Sequence, residues 1–81
     1  MTVKLKKQAE KYFAKCDKSA YNKIAKALKG LENLDGDIVR LEGRKDEYRL
    51  KIPPYRVIFE YIVGNDHITV TKISPRGDAY K

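Results

Sequence analysis

Residues Tyr48–Tyr61 read YRLKIPPYRVIFEY, and this stretch decides the fold. Tyr48, Leu50 and Ile52 alternate with Arg49 and Lys51; Tyr55, Val57, Phe59 and Tyr61 then alternate with Arg56, Ile58 and Glu60. Period-two alternation rich in β-branched and aromatic residues marks half-buried strands. Pro53 and Pro54 have no N–H for a ladder, so they form the connection between two strands. The alternation gathers the cations Arg49, Lys51 and Arg56 on or near one surface. Such a surface reads equally as a solvated charged rim and as a binding face for an anion.

Working outward, the second strand is expected to run on through Ile62 and Val63 to the turn Gly64-Asn65-Asp66. HITVTKI, from His67 to Ile73, is a third strand, ended by Ser74-Pro75. Upstream, Ile38 to Leu41 reads as a loop or a weak strand, followed by Gly43 and the charged run from Arg44 to Glu47. Nearer the start the period changes. Ala9, Tyr12, Phe13 and Cys16 form one helical stripe, and Ala20, Ile24, Ala27, Leu28 and Leu31 form a second, with Leu34 left open as its extension. Asp17 or Ser19 can cap the second helix, with a stop at Asp35-Gly36. A link this short predicts a helical hairpin. Thr2 to Leu5 adds a short edge strand supported by Val3 and Leu5 alone. The expected architecture is α+β: one domain over residues 1–81, an N-terminal helical hairpin packed on a small antiparallel sheet built from a three-stranded C-terminal meander.

Composition narrows the function. Eighteen Lys and Arg against eleven Asp and Glu leave a net charge of +7 on 81 residues, which favours polyanionic or acidic partners. One cysteine excludes an intramolecular disulfide. One Cys and one His build no metal site without carboxylates, and the five glycines are too scattered for a phosphate loop. No metal and no small-molecule cofactor are therefore expected. The lysine-rich start is unlike a signal peptide, and no stretch nears the ~20 apolar residues of a membrane span. The expectation is a cytoplasmic protein with no membrane partner. Cys16 is most simply a small core residue, and His67 a strand-end residue.

What remains is a basic and aromatic set: Arg49, Lys51, Arg56, Arg76 and Tyr80. In a meander the third strand lies beside the second, so the end of the chain can return near Arg56. Cationic groups would hold a phosphate and offset charge growing in a transition state without a metal. A tyrosine could stack on a base or assist proton transfer.

The pattern Tyr48-Arg49 with Lys51, then Tyr55-Arg56, then ITVTKI, then Arg76 followed four residues later by Tyr80, resembles the RelE/ParE superfamily of type II toxin–antitoxin toxins, and its RelE branch in particular. The resemblance implies a ribosome-dependent endoribonuclease that cuts mRNA in the A site by metal-independent 2′-OH attack, held in check by an acidic antitoxin. It makes Lys51, Arg56, Arg76 and Tyr80 catalytic and Arg49, Lys51, Arg56 and Arg76 RNA-binding. By the resemblance, Arg56 holds the scissile phosphate and Arg76 assists the leaving group or the phosphate. Tyr80 stacks on a base, and Lys51 serves as base or electrostatic support. Arg49 departs from the lysine of the best-known members. An arginine stays protonated, whereas a lysine can give up its proton when its neighbours lower its pKa. The Pro53-Pro54 link also differs from the usual Gly-containing one. Two alternatives share the hairpin: a ParE-type inhibitor of DNA gyrase, and a basic binding module without catalysis.

Overall fold

The computed structural model describes residues 1–43 and 45–75. Arg76 and Tyr80 of the expected site lie outside the described residues. The order is β1 (Thr2–Leu5), α1 (Lys7–Lys15), α2 (Lys18–Leu31), β2 (Asp37–Arg40), β3 (Glu47–Ile52), β4 (Tyr55–Glu60) and β5 (His67–Pro75). Among the described residues, five strands join one sheet in the order β1-β5-β4-β3-β2. This is the expected α+β fold, and β3, β4 and β5 are the expected meander. The sheet is mixed, not purely antiparallel, because β1 runs parallel to β5 with Thr2 beside His67 and Leu5 beside Val70. Pairing between segments so far apart in the chain leaves no local pattern to read. The segment left open between loop and weak strand is β2, with Ile38 opposite Leu50.

The helices form where their stripes meet the sheet. Asp17 caps α2 by accepting a 2.7 Å hydrogen bond from the Ala20 N–H, which satisfies one free donor of the first turn. Ala9 of α1 and Ala20, Ile24 and Leu31 of α2 are buried against Leu50, Val57, Phe59, Ile68, Val70 and Ile73. Phe13 stacks on Tyr21 across the helix junction, centroids 4.4 Å apart. On the sheet, Tyr48 stacks on Phe59 at 5.5 Å. The helix ends at Leu31, before the expected stop, and a turn leads to Gly36. There φ is +132°, and an added Cβ would sit 2.8 Å from Leu50 Cδ1, so the position suits glycine on two counts.

Two strand ends differ from expectation. β4 stops at Glu60, and Ile62 and Val63 are 53% and 80% exposed. A turn closed by Asn65 N–H donating to Ile62 O takes them out of the ladder. β5 continues through Ser74 and Pro75, which pair with Arg56 and Tyr55. Proline is tolerated there because the β1 pairing ends at Leu5 opposite Val70, so among the described residues this end of β5 is an edge.

A β-bulge sets the faces of β5. Between the pairs Ile58–Lys72 and Phe59–Val70, β4 advances one residue and β5 two, leaving Thr71 extra. Its Oγ1 donates to Ile58 O at 3.2 Å. The bulge lets Ile68, Val70 and Ile73 all face the helices, although a three-residue interval cannot keep one face in a regular strand. Beyond the end of β1, the Ile73 N–H donates to Gln8 Oε1 of α1 at 3.3 Å, a side chain standing in for a missing strand.

This geometry makes a sharp prediction. Deleting Thr71 leaves the regular alternation Ile68-Thr69-Val70-Lys72-Ile73-Ser74, so urea unfolding should stay cooperative with the faces intact. Deleting Thr69 forces Ile68 or Val70 outward and should cost about 1.5–3 kcal/mol.

Candidate nucleic-acid interface

The residues between the inward positions form the opposite face of the sheet. Two adjacent rows cross it. One runs Asp37–Lys51–Arg56–Ser74 from β2 to β5, and the other Val39–Arg49–Ile58–Lys72. Cross-strand neighbours lie about 4.5–5.5 Å apart at Cβ, and rows two residues apart along a strand about 7 Å. Four cations, Arg49, Lys51, Arg56 and Lys72, thus occupy one compact patch. Of the expected site residues, the structure brings together Arg49, Lys51 and Arg56. Arg76 follows two residues after Ser74 in the chain, and it and Tyr80 fall outside the described residues.

Like charges placed directly opposite one another weaken a sheet, and Lys51 faces Arg56 in this way. The pair is tolerated because Lys51 is exposed while Arg56 is half-buried and engaged in further contacts. An anion bound between them turns the repulsion into attraction. Acidic side chains stand at the margins of the patch: Asp37 at the β2 edge opposite Lys51, and Glu47 opposite Glu60 at the far end of β3. Glu60 lies 3.8 Å from Lys6, both well exposed, a contact of little energetic weight. Ile58 is only 7% exposed on this face. Its register neighbours are Arg49 and Lys72, whose aliphatic stems can cover apolar surface while their charged heads stay in water.

Lys72 was missed from the sequence. Its face depends on the bulge, and the sign of that bulge is the odd interval between Val70 and Ile73. Ser74 was missed as well. It is 6% exposed, and its hydroxyl is buried with no hydrogen-bond partner among the described residues. His67 sits 3.5 Å from the exposed carboxylate of Asp66 at the start of β5, away from the cationic rows. Cys16 donates its thiol to Phe13 O at 3.3 Å and closes α1, in keeping with a packing role. On the helix side, burial first and then the proximity of Tyr55 raise the pKa of Tyr12, so it stays protonated.

Opposite the cations, at the β2 side of the helix-facing surface, Leu34, Ile38, Tyr48, Phe59 and Tyr61 line a shallow apolar groove of about 240 Å³.

A protein-family model described as the ParE toxin of type II toxin–antitoxin systems, parDE, matches residues 3–80. The chain belongs to this toxin family. Among solved structures, the toxin resembles an archaeal RelE–RelB complex from Pyrococcus horikoshii, with 30% identity over 95% of this chain and 96% of that one, at a TM-score of 0.77. Isolated Escherichia coli RelE matches at 19% identity, covering 98% and 89% of the two chains, at a TM-score of 0.78. A RelB–RelE complex from Methanococcus jannaschii matches at 20%, covering 95% and 94%, at 0.76. The last two likenesses concern the fold alone. No curated protein sequence matches. The chain is thus a toxin of a type II toxin–antitoxin system with a RelE-like fold.

Proposed function

We propose that this toxin is a ribosome-dependent endoribonuclease that cuts mRNA in the A site without a metal. The observation that carries the reading is the juxtaposition of Lys51 and Arg56 beside Arg49 and Lys72 on the sheet face that the helices leave uncovered. In the step proposed, a ribose 2′-oxygen forms a bond to the adjacent phosphorus and its proton passes to a base. The bond from phosphorus to the 5′-oxygen breaks, and that oxygen is protonated, leaving a 2′,3′-cyclic phosphate and a 5′-hydroxyl. Arg56 holds the non-bridging oxygens and offsets the charge that builds on them. Lys51, the exposed partner across the ladder, acts as base or electrostatic support. Arg49 and Lys72 hold neighbouring phosphates. Arg76 assists the leaving group and Tyr80 stacks on a base; these two roles rest on the sequence resemblance. The patch matches a backbone of closely spaced negative charges, and the half-buried arginine restricts where the reacting phosphate can sit.

The proposed partners are the ribosome with its mRNA and a cognate acidic antitoxin that covers the cationic face. The Pyrococcus relative, solved as a complex of RelE with RelB, supports the antitoxin. A second reading is favoured by the name of the matching family: inhibition of DNA gyrase without nuclease chemistry. Primer extension on a message during induction separates the two. Cuts in the A site that require ongoing translation identify the nuclease, and DNA damage without RNA cuts identifies the gyrase inhibitor.

Arg56→Ala and Tyr80→Ala should each relieve growth arrest on induction while the purified variants still unfold cooperatively; unchanged arrest in both would sink the nuclease assignment. RNA association should also weaken with salt. With about five cations on a single strand, log K should fall with log salt at a slope near −3 to −4. A flat dependence would show that the basic face is not the binding surface.

A further inference from the structure

We infer that the Ser74 hydroxyl is a phosphate ligand, donating a hydrogen bond to the phosphate held by Arg56. The inference rests on the RNA-binding reading above and adds a neutral donor to a site otherwise described by its charges. Ser74 is the direct register partner of Arg56 and shares its face. The residue is 94% buried, and its Oγ has no hydrogen-bond partner among the described residues. Buried polar atoms are nearly always paired, and an unpaired one is a burden on the fold that an alanine would not impose. The geometry gives the hydroxyl a use. Its flanking side chains, Arg56 across the ladder and Lys72 two residues before it, are long, cationic and half-buried. A phosphate drawn to these two cations arrives beside the hydroxyl, the register partner of one and the same-face neighbour of the other.

The position is also rigidly set. The Thr71 bulge aims Lys72 and Ser74 away from the core, and the clamp from Gln8 onto the Ile73 N–H fixes the strand one residue before Ser74. A short hydroxyl on a fixed backbone offers one direction of approach, which the neighbouring cations do not. Phosphate oxygens accept such bonds from serine as readily as from guanidinium, and a serine leaves the net charge of the patch unchanged.

The test is binding of the full chain to ribosomes programmed with a message carrying a 2′-deoxynucleotide at the attacked position, so that affinity is read without cleavage. Ser74→Ala should bind about ten-fold more weakly at every salt concentration, with the salt slope unaltered. Arg56→Ala should instead flatten the slope by about 0.7. The melting temperature of Ser74→Ala should equal or exceed that of the unaltered chain, and Ser74→Thr should recover binding. Wild-type affinity for Ser74→Ala, alongside weakened Arg56→Ala, overturns the assignment of Ser74 and leaves the functional reading standing. A lowered melting temperature for Ser74→Ala overturns it too, since the hydroxyl would then be serving the fold. If the unaltered chain fails to bind programmed ribosomes, the functional reading falls and this inference with it.

Discussion

The three-residue interval between Val70 and Ile73 governs the sheet. Both residues must reach the helices, and a regular strand would turn one of them outward. Extruding Thr71 resolves the conflict, and the Thr71–Ile58 hydrogen bond holds the extrusion in place. Because β5 lies between β1 and β4, this local device acts on the whole sheet. On one side it keeps Ile68, Val70 and Ile73 in the core. On the other it brings Lys72 and Ser74 level with Ile58 and Arg56.

Core and cationic face are therefore two products of one alternation. Burial of Leu50, Val57 and Phe59 drives β3 and β4 together, and the same pairing sets Lys51 against Arg56. The repulsion between those cations is small beside the burial that imposes it. A small domain can hold such a patch because the opposing rows carry its cohesion. Substitutions in the patch are expected to change binding far more than folding.

Much of this was legible in the chain. The Tyr48–Tyr61 hairpin and both helical stripes were plain, since each repeats a short period. The Asp17 cap followed from residue type. The parallel β1–β5 pairing was not legible, because its partners stand far apart and each is only a few residues long. β2 offered a single apolar residue on the inward face, Ile38, too little for a period. Ile62 and Val63 misled because apolar character extended the strand pattern into a turn. In the candidate site Arg49, Lys51 and Arg56 were readable from alternation alone. Lys72 required the bulge, and Ser74 required knowledge of burial. Arg76 and Tyr80 still rest on the resemblance in sequence.

The place of β1 in the sheet has a kinetic consequence. Among the described residues its one strand partner is β5, so residue 2 waits for residue 67. Contacts this distant in sequence close late and slow folding. On an emerging chain, the helices can form early and β3 can meet β4, but β1 has nothing to pair with until β5 is made. The cationic face is incomplete over the same interval, since Lys72 and Ser74 arrive with that strand. Assembly of the cationic face is thus tied to the arrival of β5, and a partly synthesised chain carries only a fragment of it.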